Sequence, residues 1–403
     1  MSRFIRAIRP TNILSFGPNT SETELSDLNV LIGVNGAGKS NLIEVIGLLK
    51  AAPVNIADPI RTGGGIRDWL WKGALVPPDA HIDATIDYPD GSMPLRYKLS
   101  FGMVGQKFEL IDEAVENEKP SVEGASDPYF FYRYQEGHPA LNVRTTMDAG
   151  AGQAEGRTQR FLRHEDISLE RSVLSQRKDP DQYPEITYLS NQFEKINLFR
   201  EWSFGRTSDP RLPQPADLSD EFLMENARNL GMVLNDLEHR GEPGRQIIKQ
   251  LQQFYEPVQA IINRVHGGTV QIYIRENGFR DPVPATRLSD GTLRYLCLLS
   301  ILCHPTPPPL ICFEEPELGL HPDVLPGIAE LLVEASTRTQ LIVTTHSDVL
   351  VSALTDEADS VLVCDRDETG TSFRRLDSQD LQTWLEDYTL GELWRMGEIG
   401  GTR

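Results

Sequence analysis

Residues Gly33-Val34-Asn35-Gly36-Ala37-Gly38-Lys39-Ser40 fit the pattern GxxxxGK[ST] and lie between an apolar strand, Asn29 to Ile32, and a helically periodic stretch, Asn41 to Lys50. No other feature constrains the chain so strongly. Glycines let the backbone wrap around phosphate oxygens, and the N-terminus of the following helix adds partial positive charge. Lys39 is placed to reach the terminal phosphates, and the Ser40 hydroxyl to ligate Mg2+. Strand, glycine loop and helix in that order call for an α/β fold. The competing reading, a glycine turn that merely caps a helix, is weakened by the motifs farther along the chain.

Leu310-Ile311-Cys312-Phe313-Glu314-Glu315 is an apolar strand ending in two carboxylates. Beside a phosphate loop, the first acid suits a Mg2+ site, and the second can orient and deprotonate an attacking water. Alone, the pair would read as a solvated acidic turn before Pro316. Thr344-Thr345-His346-Ser347 follows another apolar strand, Leu341 to Val343, so His346 stands where it could touch a γ-phosphate and the catalytic carboxylate. Leu288-Ser289-Asp290-Gly291-Thr292 precedes an almost wholly apolar helix, Leu293 to Cys303. Ser289 is a good N-cap, and the same hydroxyl and the Gly291 NH could hold the γ-phosphate of a nucleotide bound by another subunit.

The 403 residues suggest two or three lobes, and 39 Lys and Arg against 59 Asp and Glu give a net charge of −20. So acidic a chain cannot bind DNA through its average field, and any polyanion contact needs backbone NH groups or a local basic surface. Cys297, Cys303, Cys312 and Cys364 show no CxxC pairing and read as buried thiols; the histidines lack zinc-ligand spacing. No apolar run reaches the ~20 residues of a membrane span. The expectation is a cytoplasmic protein with no membrane contact.

Short alternating stretches from His81 to Asn117 predict an antiparallel sheet. Ala149 to Gly156 reads as a mobile loop, and Arg157 to Lys178 holds a local basic excess in Arg157, Arg160, Arg163, Arg171, Arg177 and Lys178. Helical periodicity returns over Ser219 to Glu238 and Arg245 to Val265. The final third alternates strand and helix. Three segments are expected: 1–117, carrying the phosphate loop and the antiparallel subdomain; 118–268, an insertion; and 269–403, carrying the remaining motifs.

In this order the motifs resemble the ABC-type ATPase heads of the RecF, structural-maintenance-of-chromosomes and overcoming-lysogenization-defect group. The likeness is strongest to stand-alone bacterial members of the AAA-21 kind, through Glu314 to Glu317, Leu320 to Pro322, Leu390 to Trp394 and Gly397 to Gly401. Gly63-Gly64 and Trp69 to Gly73 add to it. The resemblance implies an α/β head with a mixed sheet, an antiparallel β lobe and a compact helical insertion. It also implies ATP held by Gly33, Asn35, Gly36, Gly38, Lys39, Ser40 and Asn41, with Ser289 and Gly291 of a second copy completing the site. Ser40 and Glu314 would hold Mg2+, while Glu315, His346 and Lys39 would serve catalysis. Glu317 to Pro322 fill the D-loop region.

Departures from the pattern are Asp290 for glycine, Thr292 for glutamine and Glu314 for aspartate, and no Q-loop glutamine can be placed. The stretch from Ser40 to Leu288 lacks sustained heptads, which excludes a long tethering arm. Asp365-Arg366-Asp367 superficially fits the DxD element of a TOPRIM nuclease, but too little chain remains after it, and a surface turn is favoured. The resemblance thus implies a Mg2+-ATP switch working as a homodimer or higher oligomer. It would be gated by DNA or by a separate nuclease-like effector, as in antiviral defence. A RecF-like repair loader, touching DNA through Arg157 to Lys178, is the alternative; that stretch reads first as a solvated helix face. A non-hydrolysing scaffold that restrains a toxin is another.

Overall fold

A six-stranded sheet forms the centre of the molecule, in the order Asn197–Phe199, Leu310–Glu314, Gln340–Thr344, Leu28–Ile32, Val361–Asp367, Gly370–Arg375. The first five strands are parallel, and only Gly370–Arg375 runs against its neighbour. The computed structural model describes residues 3–120, 127–135, 138–147, 154–161, 168–200 and 202–401. Central strands are apolar along their length because both faces are covered. Val30, Ile32, Phe313, Leu341 and Val343 enter one core, and Leu31, Cys312 and Ile342 enter the other. The helix Asp290–Leu302 lies in the first core and is buried almost all round, which its unbroken apolar sequence requires. The phosphate-loop helix, Lys39–Ala51, packs in the second.

An eight-stranded antiparallel sheet stands beside this one, and the expected strands between His81 and Asn117 are three of its members. Gln340 joins the two sheets: its side chain accepts from Ile5 N and donates to Ile5 O, both at 2.8 Å. The sheet continues past residue 117 through Phe130–Gln135, His138–Met147 and Ala154–Phe161, and Asn197–Phe199 enters the central sheet. The middle segment is therefore woven into both sheets. Of the expected mobile stretch, 149–153 lies outside the described residues, and the remainder starts the strand Ala154–Phe161.

Two helices differ from the sequence reading. The span expected as one helix from Arg245 to Val265 is a helix, Glu242–Phe254, followed by a strand, Val258–His266. Pro257 lacks an NH and pushes Glu256 out of the helical region, after which the β-branched alternation of Val258 to Val265 takes over. Upstream, only Leu230–His239 is helical. The preceding turn is held open by Asn229, whose side chain accepts from Met224 N and donates to Ser219 O and Phe222 O. All four cysteines are free and buried, and burial pushes the thiols of Cys303, Cys312 and Cys364 up to about 12. No helix among the described residues is long and apolar enough to cross a membrane.

One buried carboxyl fastens the antiparallel sheet to the segment behind it. Glu113 accepts from Tyr97 Oη (2.7 Å), Ser172 Oγ and Val173 N (2.8 Å). Burial raises its pKa from 4.5 to about 7, against the pull of those donors. Because the folded value is the higher, its contribution to stability is complete below 4.5 and is lost as pH rises through about 7. Urea midpoints measured from pH 4.5 to 8 should fall across that window, and Glu113→Gln should flatten the fall. An equal slope in both proteins would exclude Glu113 as its source.

Candidate functional site

Strand order and register bring the phosphate loop, Glu314, Glu315 and His346 to one edge of the central sheet. Gln340–Thr344 lies between the phosphate-loop strand and the acid strand, with Glu314 opposite Thr344 and Thr344 opposite Leu31. The carboxyl ends of all three strands therefore open at the same level, where ligands of open parallel sheets bind. Thr345 N donates to Leu31 O at 3.1 Å, fixing that level.

The phosphate loop is built around tight glycines. Gly33 (φ 148°) has no room for a Cβ against the Cys364 carbonyl, and Gly38 (φ 115°) none against Thr371 and Ser15. Asn35 and Gly36 are exposed. The helix Lys39–Ala51 begins without a side-chain cap or an acid in its first turn, which leaves its first NH groups to an anion. Lys39 Nζ donates to the carbonyls of Gly33 (2.8 Å) and Val34 (3.1 Å), and burial lowers its pKa, opposed by nearby groups including Glu315 and Glu314. Ser40 Oγ donates to Glu314 Oε1. A hydroxyl and a carboxylate in direct contact are the hard oxygen donors that a Mg2+ ion takes from protein while keeping its waters, so these residues fit the ion. Asn41 acts from behind the loop, its amide donating to Ser15 Oγ at 2.7 Å.

Glu315 has φ 47°, a left-handed backbone unusual for a side chain of its size. Its NH donates to Thr344 O (3.0 Å) and Oγ1 (3.3 Å), which holds the turn. The carboxylate is thereby brought to 3.6 Å from His346 Nε2. Burial first, then the charge of Lys39, pushes His346 below its ordinary value, with Glu315 and Glu317 pulling the other way. The imidazole is neutral at neutral pH.

Three residues at the site carry roles that the motifs alone do not reveal. Glu317 Oε1 accepts from Thr345 Oγ1 (2.6 Å) and His346 N (2.9 Å), so it holds the histidine turn. Its spacing within Glu-Glu-Pro-Glu was the available signal. Arg366 donates to Gly36 O at 3.2 Å, which places the Asp365 to Asp367 strand end against the phosphate loop, in a hairpin closed by Thr369 on Asp367. Arg211, 6% exposed, donates to Phe204 O (2.9 Å), Leu288 O (2.6 Å) and Asp290. Asp290 thus has a buried cation waiting for it.

The turn from Leu288 to Thr292, which the resemblance makes the signature turn, occupies a different neighbourhood. Ser289 Oγ accepts from Thr292 N at 3.0 Å, the capping arrangement, and a Cβ on Gly291 would stand 3.0 Å from Gly319 O. The basic stretch does not form one helix face. Arg160 is exposed on the edge strand Ala154–Phe161, Arg171 lies in a later turn, and Lys178 pairs with Glu194 at 3.3 Å. Arg157 lies on the same edge strand, and Arg163 lies outside the described residues.

The model of the family described as "AAA domain, putative AbiEii toxin, Type IV TA system" matches residues 28–138 and 166–352. Among solved structures, an Smc head bound to the C-terminal winged-helix domain of ScpA is similar at TM-score 0.53 and 12% identity, covering 94% of this chain and 99% of that one. The Smc head with an extended coiled coil, bound to the C-terminal domain of ScpA, from Pyrococcus furiosus, is similar at 0.52 and 13%, covering 95% and 99%. At such identity the likeness is one of fold: an α/β head with the mixed and antiparallel sheets described above. No curated protein matches the chain.

Two substitutions test this geometry. Glu315→Gly removes the left-handed strain, of about 1 kcal/mol, so the melting temperature should hold or rise although the carboxylate is gone. A fall of more than about 1 kcal/mol would show that the side chain, not the backbone, sets the turn. Arg211→Ala leaves the carbonyls of Phe204 and Leu288 unpaired, and should cost roughly 2–4 kcal/mol in urea denaturation. An unchanged midpoint would show that Arg211 does not hold the signature turn.

Proposed function

The chain belongs to this AAA-domain family and is an ATP hydrolase, and on that premise we propose that it works as a Mg2+-ATP switch between two copies closed head to head. The observation that carries the reading is the meeting, at one sheet edge, of two pairs: Ser40 with Glu314, and Glu315 with His346. Lys39 would exchange the Gly33 and Val34 carbonyls for oxygens of the terminal phosphates, beside the uncapped helix N-terminus and the NH groups of Asn35, Gly36 and Gly38. Ser40 and Glu314 would hold Mg2+, which supplies charge neutralisation when bound. Glu315 would orient and deprotonate the attacking water, and His346 would hold that carboxylate in place. Ser289 and Gly291 of the second copy would complete the phosphate shell; the cap observed at Ser289 leaves the hydroxyl at a helix N-terminus, where an anion is favoured.

We place the switch under the control of a separate protein effector, nuclease-like, in antiviral defence. The two similar Smc heads are each bound to a second protein, and the family's description names a toxin–antitoxin system; both support a partner-gated cycle. The rival, direct loading onto DNA, draws support only from Arg160, Arg171 and their neighbours, against a chain of net charge −20. A third reading, an ATP-held scaffold restraining a toxin, needs no turnover.

Phosphate release with and without duplex DNA, repeated with Glu315→Gln, separates the three. Turnover lost by at least about a hundredfold in the variant, with nucleotide still bound and dimers accumulating by light scattering, is the expected result. No turnover in either protein would leave the scaffold. Stimulation by DNA that is lost on neutralising Arg160 and Arg171 would move the weight to the loader. Turnover should also stay level across neutral pH and decline only below the ordinary histidine range, because His346 is already neutral above it.

A further inference from the structure

Residues 389–401 make no contact with substrate in the proposed chemistry, yet they touch both halves of the site. The helix Leu390–Met396 opens on a capping box between Thr389 and Glu392, and ends on Gly397 in the left-handed region. Gly400 (φ 84°) and Gly401 (φ 69°) then turn the chain back. Trp394, 7% exposed, donates its indole NH to Gly401 O at 3.3 Å, and Arg374 donates to Ile399 O at 2.7 Å. The turn is pinned from two sides.

The pinned turn rests on the phosphate loop. A Cβ on Gly401 would stand 3.1 Å from Gly33 Cα, while a Cβ on Gly33 itself would run into the Cys364 carbonyl. Gly33 is thus held between the strand Val361–Asp367 on one side and the Gly400-Gly401 turn on the other. Its carbonyl is also one of the two that accept from Lys39. At its other end, the same helix lies against Asp348–Ser352, which begins two residues after His346. Gly391 is packed on Asp348 O and Ser352 Oγ lies 3.1 Å from Thr389 Oγ1, while Arg395, in the last turn beside Trp394, also reaches Asp348 at 3.2 Å.

We infer that Trp394 and Gly401 are positioning residues for nucleotide binding: they fix Gly33, and through it the entrance of the phosphate loop. This rests on the reading of that loop as the nucleotide site. A phosphate-binding loop must hold its NH groups converged before the anion arrives, since any ordering left to binding is subtracted from affinity. The first glycine is the pivot of the loop, and only a neighbour without a side chain can approach it as closely as Gly401 does. Gly401 acts on phosphate binding and not on Glu315, so its loss should appear in affinity and KM while kcat is kept.

The test compares Trp394→Phe, which keeps an aromatic side chain but loses the NH and part of the ring system, and Gly401→Ala, which adds the intruding methyl. Met396→Ala, at an exposed position, serves as control, and Lys39→Ala as the reference for a broken loop. Binding of a fluorescent ATP analogue, phosphate release against ATP concentration, and melting temperature are read for each. The expected result is affinity weakened, with KM raised, about fivefold in Trp394→Phe and about tenfold or more in Gly401→Ala. kcat at saturating ATP should stay within about twofold and melting temperature within a few degrees. A merely structural role would lower the melting temperature and the active fraction and leave KM alone, and that result overturns the inference. If Gly401→Ala does not fold, Trp394→Phe decides: a wild-type KM in that variant also overturns it. Failure of the nucleotide reading is seen separately, as equal binding by the wild type and Lys39→Ala.

Discussion

Everything at the site depends on the register of three buried parallel strands. Leu28–Ile32, Gln340–Thr344 and Leu310–Glu314 carry apolar side chains on both faces, divided between two cores, so their ladder is enclosed on every side. A slip of one residue would exchange the two faces of a strand and move its terminal side chain along the sheet. Glu314, Thr344 and Leu31 are therefore locked level. The chemistry then needs only the next residues of each chain segment: two more to Gly33, one to Glu315, two to His346. Here core packing, well away from solvent, sets the distances between polar groups at the sheet edge.

The parts of the site legible in the sequence are those whose chemistry demands a residue type at a fixed spacing. The phosphate loop, Glu314, Glu315 and His346 belong to that class, because each ends a strand that the apolar pattern already marks. Arg211 belongs to another. It lies far from Asp290 in sequence, in a proline-rich loop with no periodicity, and its role is visible only when Phe204 O and Leu288 O appear beside it. The Gly400-Gly401 turn was equally opaque, because a glycine's spacing says nothing of the backbone it will rest against. In the fold, the error over Arg245 to Val265 arose where apolar residues recur at intervals that suit a helix and a strand alike. Pro257 was the arbiter.

The net charge of −20 sits easily with an anionic ligand. At the loop, attraction comes from NH groups at an uncapped helix end and from Lys39, which is drawn in against its own loop carbonyls. These sources act over a few ångströms, and distant surface acids are screened within about a Debye length. An acidic exterior and a phosphate site thus coexist without conflict, whereas the same exterior opposes the extended backbone contacts that duplex DNA requires.

The signature turn shows how a departure from a pattern becomes tolerable. A carboxylate at position 290 next to a bound phosphate would repel it at short range. Arg211 answers that charge from a buried position and also takes up two backbone carbonyls, Phe204 O and Leu288 O, leading into the turn. Asp290 is then one end of an internal tie. The helix it opens is capped by the Ser289 hydroxyl. Gly291 sits against Gly319, in the loop after Glu315, so the signature turn and the acid loop are packed together. On the proposed head-to-head reading, this contact joins the acid side of the nucleotide site to the turn that would face a second copy.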